Sequence, residues 1–594
     1  MRRIFTTILS MLMLPLVAMG QGWPAGYGGV MLQGFYWDSY SDTRWTNLES
    51  QADELAEFYS LVWVPQSGYC SGYNSMGYDP LYWFTNYNSS FGSRAQLTSM
   101  ISTFKSKGIG TIADVVINHR KNVSNWVDFP KETYKGVTYE LKSTDICAND
   151  DKGATKTWAT QNGYSLSTYN DTGEGWDGMR DLDHRSENVQ TNVKAYLKML
   201  LEDFGYTGFR YDMVKGYAGS FTKIYNEDSK PRFSVGEYWD GNATVVKNWI
   251  SATGKTSAAF DFPFRYTVRD AIQYSDWRRL SGASLISDNS YKQFSVTFVE
   301  NHDTEYRSAG AQQDPIRKDT LAANAFLLAM PGTPCVFMKH WQAYKQEIAN
   351  MVAVRKAVGI TNMSKQTAVS SIKDYYAVQV EGSNGKKLLC VVGTKAADFT
   401  PDAAWKKAIS GYHYVYYVQG IEPSALTLPQ IEEEKTQQSG EYGGVPSFCT
   451  VSDGEICAFF EAPVTWGSQI YAWAWMNGGD GKDYVGASWP GVGATLLGIA
   501  PNGNKVFKWT ATKTTAPDNI IFSGGGSQTS DMLFKNAGYY TKDGLQATVT
   551  TGIETPRFSS SDAQSSNLHD LQGRRVIIPQ RGIYIRGGKK VVYP

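Results

Sequence analysis

GFRYDMVKG (208–216) puts Asp212 where a buried parallel β-strand would run out, and Arg210, two residues earlier, falls on the same strand face. Two more stretches carry a carboxylate at the same place. They are VGEYWD (235–240), with Glu237, and FVENHDTE (298–305), with Asp303. An eight-stranded β/α barrel spends roughly 30 residues on each strand–helix unit. Asp212 and Glu237 lie 25 residues apart, which fits neighbouring strands. Glu237 and Asp303 lie 66 apart, which leaves room for one strand between them, and SAAFDFPF (257–264) fits it.

The other strands read outward from these. GGVMLQGFYWD (28–38) is expected as strand one, YSLVWVPQSG (59–68) as strand two and TIADVVIN (111–118) as strand three. GFRYD, SVGEYW, AAFDF, SVTFVEN and PCVFM follow as strands four to eight. All are near-continuous apolar runs, as strands covered on both faces require. Helical patterns fall between them, such as NVQTNVKAYLKMLLEDFG (188–205) before strand four. Asp114 precedes Asp212 by 98 residues, too many for one unit, so about 60 residues must leave the barrel after strand three. Barrels of this kind build their sites at the C-terminal strand ends. Asp114, Asn118, His119, Arg210, Asp212, Glu237, His302 and Asp303 all fall there.

The 594 residues are enough for several domains. Lys+Arg and Asp+Glu both number 57, a balance that points away from nucleic acid or an anionic membrane as partner. MRRIFTTILSMLMLPLVAMG (1–20) has two arginines, an apolar run and small residues at its end, the form of a cleaved secretory signal peptide. Its apolar run is short for a membrane anchor, and no later stretch is long and apolar enough to span a bilayer. Six scattered cysteines show no metal-ligand spacing. Cys449 and Cys457 could pair across a hairpin or remain buried thiols.

DVVINH (114–119), GFRYDMVKG (208–216), GEYWD (236–240) and FVENHD (298–303) together resemble, in order and spacing, the four sequence regions of the α-amylase family of glycoside hydrolases. The resemblance covers about 22–430, and KGY (215–217) with DLDHRSENVQ (181–190) is most similar to plant-type and related bacterial members. It implies an α/β fold: a (β/α)8 barrel over 22–360, a domain B of about 120–180 inserted after strand three, and an antiparallel β domain C over 361–430. By the same resemblance Asp212 is the nucleophile, Glu237 the general acid/base and Asp303 the brace for substrate hydroxyls and the developing oxocarbenium ion. The residues agree with this chemistry. A retaining mechanism needs two carboxyl groups about 5–5.5 Å apart, one ionised and one protonated. Arg210 can keep Asp212 ionised. Tyr238 and Trp239 beside Glu237 can supply apolar surroundings that raise its pKa. The resemblance also makes His119 and His302 hydrogen-bond donors to the sugar, Tyr78 of GYDP (77–80) a ring stacked on it, and Lys215 a contact on the leaving-group side.

Calcium is the cofactor that the resemblance implies. Hard cations take several oxygen ligands, and the loop DTGEGWDGMRD (171–181) is rich in them. Residue by residue, the family's site maps onto the side chains of Asn118, Asp171 and Asp181 and the backbone carbonyls near Glu174 and Gly216. Gly175 stands where relatives carry a further acidic ligand, so one ion is expected.

Beyond the barrel, 361–430 reads as short strands such as DYYAVQVEG and KKLLCVVGTK, and QIEEEKTQQSGEYGG (430–444) as a linker. A separate β-rich unit then runs over about 445–551. IYAWAWMNGG (470–479) puts Tyr471, Trp473 and Trp475 on one strand face. With SWPGVG, KVFKWTA and NIIFSGGGSQTSDM, this segment resembles the β-sandwich starch-binding modules of carbohydrate-binding family 26. Trp473 and Trp475 are its candidate starch contacts, and Trp489 is expected in the core. PRFSSSDAQSSN (556–567) is a Ser-rich linker. LHDLQGRRVIIPQRGIYIRGGKKVVYP (568–594) resembles the C-terminal sorting domains of type IX-secreted bacterial proteins, which implies recognition by a secretion machinery.

The expectation is a secreted, monomeric α-amylase acting on starch and α-glucan oligosaccharides, extracellular or on the outer cell surface. An exo-acting maltogenic or transglycosylating relative is the alternative, and a non-catalytic starch-binding protein the reading from another class.

Overall fold

The computed structural model describes residues 22–70, 74–307, 313–431 and most of 445–549, and the backbone of four short strands within 568–593. The expected signal peptide (1–20) and the Ser-rich linker (556–567) lie outside the described residues, as does nearly all of the 430–444 linker. The chain divides into two compact units, 1–431 and 432–594.

The first unit is built on a closed eight-stranded barrel. In chain order its strands are Met31–Gln33, Leu61–Val64, Gly110–Val115, Gly208–Tyr211, Phe233–Gly236, Ala258–Phe260, Ser295–Thr297 and Thr333–Phe337. Each of the eight expected stretches supplies one strand, and all run parallel. Met31 closes the ring by aligning with Leu61 on one side and Cys335 on the other. Every strand is buried almost throughout, which is why the sequence shows runs rather than alternation.

The helices that cover the barrel follow local rules. In Arg94–Ser106 the buried residues are Leu97, Met100, Ile101 and Phe104, one stripe of a 3.6-residue period. Ser93 accepts the Gln96 N–H and the Gln96 side chain answers at the Ser93 N–H, so two orphan donors of the first turn are satisfied. Ser186 caps Glu187–Met199 by accepting the Asn188 and Val189 N–H groups. That helix ends in a π-helical turn, Leu200–Phe204, stopped by Gly205 at φ 84°.

The excursion after the third strand is closed at its neck by a two-residue antiparallel pair, His119–Arg120 with Arg180–Asp181. Within it lie a hairpin, Glu132–Tyr134 with Val137–Tyr139, and the helix Ala154–Gln161. A buried ion pair anchors it. Arg120 meets Glu132 at 2.6 Å, and Glu132 also accepts the backbone N–H groups of Trp83, Phe84 and Thr85. Downstream of the barrel, five antiparallel strands between Gln366 and Gln419 form one sheet. Its middle strands reach the barrel helix Thr320–Ala329, where the Tyr416 hydroxyl donates to the Ala325 carbonyl.

The second unit contains two sheets that share a core. Phe460 of one sheet stacks on Phe522 of the other at 4.5 Å. In Tyr471–Trp475 the alanines Ala472 and Ala474 are fully buried, and Tyr471, Trp473 and Trp475 occupy the half-exposed outer face. Trp489 departs from its expected core position: it is 49% exposed, 5.6 Å from Trp473. Phe460, Trp509 and Phe522 already fill the space between the sheets with the two alanines, and Trp489 stays outside it. Cys449 and Cys457 are separate buried thiols, as are the other four cysteines. The strands within 568–593 form a four-stranded antiparallel sheet. No helix among the described residues is long and apolar enough to cross a membrane.

Candidate active site

Register brings the charged residues together. Asp114 and Arg210 are aligned partners on the third and fourth strands, both buried inside the barrel. Arg210 Nη1 lies 2.8 Å from Asp114 Oδ1 and 2.6 Å from Asp212 Oδ1, while Nη2 lies 2.7 Å from Glu237 Oε1. One guanidinium thus spans the acids of strands three, four and five. Its ring neighbours are Trp63, 5.0 Å below, and Tyr78 at 5.7 Å.

One cation cannot neutralise three buried carboxylates, so protons must make up the difference. Burial pushes Glu237 up to about 8; Arg210 opposes the shift, and Asp212 and Asp303 add to it. Burial likewise takes Asp114 up to about 7 against the pull of Arg210. Asp303 is also raised, again by burial. Near neutral pH the cluster therefore holds a protonated Glu237 carboxyl beside Asp212, which is held by Arg210. A proton donor beside a second carboxyl group is the pair that retaining acetal cleavage uses.

Asp212, Glu237 and Asp303 line one cleft of about 500 Å3, together with Tyr78, His119 and Lys215. Tyr78 donates to Asp114 Oδ2 at 3.0 Å and lies 2.6 Å from His302 Nε2. Gln33 Nε2 donates to His302 Nδ1 at 2.9 Å, so the proton of this ring is on Nε2, shared between Tyr78 and Asp303 Oδ2 at 3.1 Å. Burial keeps the ring neutral. His302 departs from expectation because it is fully buried behind Tyr78 and Asp303. It orients those two groups and presents no free N–H to the cleft. His119 faces the cleft, but its Nε2 is 3.0 Å from the Tyr78 carbonyl, and Trp176 stacks on the ring at 5.7 Å. Lys215 pairs with Glu174 at 2.7 Å on the cleft wall.

Trp37 and Trp176 line the cleft without a signal in the motifs, and Trp239 of GEYWD lines it with them. Met213 ends the fourth strand in the left-handed region, φ 43°, a conformation that costs a non-glycine residue about 1 kcal/mol. The turn aims the Met213 N–H at Glu237 Oε2, 3.0 Å away. Trp37 lies within the GFYWD stretch read only as a strand end, and nothing local marks Met213.

The residues expected to hold calcium meet at the neck of the excursion. Gly216 lies against Asn118 so closely that a Cβ there would fall 2.0 Å from Asn118 Oδ1. The Glu174 N–H donates to the Lys215 carbonyl at 2.8 Å, which brings the acidic loop to the same place. Asn118 Nδ2 donates to Asp181 Oδ1 at 3.2 Å. Burial drives Asp181 up to about 8, with Asp171 and Asp150 adding to the shift, and takes Asp171 to about 6. Asp171 Oδ2 is buried without a hydrogen-bond partner among the described residues. The buried Asp181 and the half-buried Asp171, poorly neutralised and beside an amide oxygen, fit a hard cation. No group of three His, Cys, Asp or Glu side chains among the described residues forms a metal cluster. An ion here would therefore depend on Asn118 and on backbone carbonyls. Asp150 and Asp151 are committed elsewhere, to Arg180 at 2.5 and 2.6 Å.

In the second unit Trp473, Trp475 and Trp489 line one shallow groove with Gln528 and Asp531.

Comparison with known proteins adds the following. The family model described as the α-amylase catalytic domain matches residues 68–375. The chloroplastic α-amylase 3 of Arabidopsis thaliana is 28% identical over 401 residues, 63% of this chain and 42% of that protein. Probable α-amylase 2 of the same plant is 26% identical over 412 residues, 65% of this chain and 93% of that one. The glucan 1,4-α-maltotetraohydrolase of Stutzerimonas stutzeri is 26% identical over 426 residues, 65% of this chain and 73% of that one. The chain thus spans less than half of the chloroplastic relative. Among solved structures, an α-amylase from Geobacillus thermoleovorans aligns with a TM-score of 0.48 at 13% identity, covering 66% of this chain and 99% of that one.

Proposed function

The chain belongs to the α-amylase family of glycoside hydrolases, and from that premise we propose that it is a secreted α-amylase cleaving internal α-1,4 bonds of starch with retention. The observation that carries this reading is the Arg210 bridge, which sets Asp212 and Glu237 on the two ends of one guanidinium with Asp303 in the same cleft.

Asp212 attacks the anomeric carbon while Glu237 gives its proton to the departing glycosidic oxygen. The products of this step are a covalent glycosyl–Asp212 ester and a Glu237 carboxylate. That carboxylate then takes a proton from water, whose oxygen attacks the same carbon and frees Asp212. Both steps pass through a cationic sugar, which the Asp303 carboxylate stabilises. Its charge is worth more in a desolvated cleft than in water. Arg210 donates to Asp212 Oδ1 at 2.6 Å and so orients the nucleophile, and the Met213 N–H steadies Glu237 in its deprotonated half-cycle.

One calcium ion belongs to this reading. The side chains of Asn118, Asp171 and Asp181 would hold it with the carbonyls of Glu174 and Gly216. Bound there, it supplies positive charge that offsets the buried carboxylates and ties domain B to the barrel. The Trp473, Trp475 and Trp489 groove of the second unit would bind granular starch by stacking on sugar rings. Residues 1–20 would direct export and 568–594 would be read by a secretion machinery.

Glu237→Gln against wild type tests the catalytic assignment: equal release of reducing sugar would sink it. A maltotetraose-forming relative keeps exo action as the second reading. A time course of amylose products resolved by size separates the two. Early mixed oligosaccharides mean endo action, and a single small product means exo action.

A further inference from the structure

Arg307 lies four residues beyond Asp303 in the loop that follows the seventh barrel strand. Three contacts hold its guanidinium. Nη2 donates to the His302 carbonyl at 2.6 Å and to Asp303 Oδ1 at 3.2 Å, and Cζ lies 3.8 Å from the centre of the Trp37 ring. The last is the spacing of a guanidinium laid flat on an aromatic face. The side chain is 18% exposed, and its Nε is buried without a hydrogen-bond partner among the described residues. The same loop grips Trp37 a second time. Glu305 Oε1 accepts the Trp37 N–H at 2.7 Å, and the other Glu305 oxygen pairs with Lys339.

A nearly covered cation with an unused donor is unfavourable unless an opposing charge compensates it. Asp303 supplies that charge, so the two groups hold each other in place. Arg307 takes one oxygen of Asp303 and the buried His302 takes the other. The carboxylate therefore has little freedom to turn. Trp37 is nearly parallel to Tyr78 and His302, with interplanar angles of 7° and 9°, and Arg307 lies on the ring face of Trp37.

We infer that Arg307 is a positioning residue for the glycosidic reaction, fixing the Asp303 carboxylate toward the sugar and locking Trp37 as a wall of the substrate cleft. The inference rests on the catalytic reading given above. Five groups face Asp303: Arg210 from the fourth strand, Glu237 after the fifth, Tyr78 from the loop after the second, and His302 and Arg307 from its own loop. Burial raises the Asp303 carboxyl and the two arginines oppose that. Losing Arg307 removes one of the two, so Asp303 takes its proton at a higher pH.

The test compares wild type, Arg307→Gln and Arg307→Lys in the full chain, measuring kcat and KM on a maltooligosaccharide series from pH 4 to 9, with thermal melts. Arg307→Gln is expected to lose about tenfold or more in kcat, the scale of one charge-assisted hydrogen bond, and to shift the acid limb to higher pH. Arg307→Lys keeps the charge without the flat fork. Its acid limb should stay with wild type while KM rises, because the Trp37 face is no longer covered. Wild-type kcat and acid limb in Arg307→Gln overturn the inference. So does an equal loss in both variants at every pH accompanied only by a lower melting temperature, since that describes loop packing. If the glutamine variant does not fold, Arg307→Lys decides, because an unchanged KM there removes the wall. Wild type without activity on α-1,4-glucans instead removes the functional reading, and this inference with it.

Discussion

Arg210 Nη2 lies 2.7 Å from Glu237 Oε1, and both side chains are more than nine-tenths buried. A cation this close would ordinarily hold a glutamate ionised, yet burial and two neighbouring acids outweigh it and carry Glu237 to about 8.

The proton on Glu237 sets the alkaline limit of activity. The acid form is the competent one at the first step, so kcat/KM should fall as pH rises through about 8. Glu237→Gln should lower kcat by about 10²–10⁴, the range of a lost general acid. A pH profile of kcat/KM on a soluble dextrin checks both. An alkaline limb unchanged by substitutions around Glu237 would contradict the assignment.

Calcium should flatten a pH-dependent loss of stability. Asp181 ionises near 4 in the unfolded chain and near 8 in the fold, so its contribution is complete below about 4 and is lost as pH rises through about 8. Chelator should therefore lower the melting temperature more at pH 8 than at pH 5. Asp181→Asn, which carries no charge, should melt at the same temperature with and without chelator. Thermal melts at the two pH values decide, and no chelator effect in wild type removes the ion from the account.

Trp475→Ala and Trp489→Ala should reduce adsorption to granular starch by roughly tenfold, since one aromatic anchor is worth about 1–2 kcal/mol. Hydrolysis of short soluble dextrins should not change. Sedimentation of starch with the protein, beside an assay on maltopentaose, separates the two effects.

Glu132→Ala should destabilise the first unit by about 3–5 kcal/mol, because it strands the buried Arg120 charge and three backbone N–H groups. Chemical denaturation followed by tryptophan fluorescence measures it. A loss below 1 kcal/mol would mean that water reaches the Arg120 site.

The barrel was legible because its strands are buried on both faces and announce themselves as apolar runs. Their spacing alone counts the strands and places Asp212, Glu237 and Asp303 on one rim. The excursion after Val115 showed as surplus length. Trp489 falls outside the core because its neighbourhood is decided across two sheets, whose interior is filled by other rings such as Phe460, Trp509 and Phe522. Trp37, Trp176, Met213 and Arg307 were invisible for a related reason. They come from different loops, and loop conformation depends on contacts rather than on local pattern.

The sequence by itself determined the order of the strands and which carboxylates stand at their ends, because both follow from periodicity and chain length. Only the tertiary structure decided which acid keeps a proton. That depends on one arginine shared among Asp114, Asp212 and Glu237, and on how much water burial removes from each, and neither is a property of any single stretch of chain.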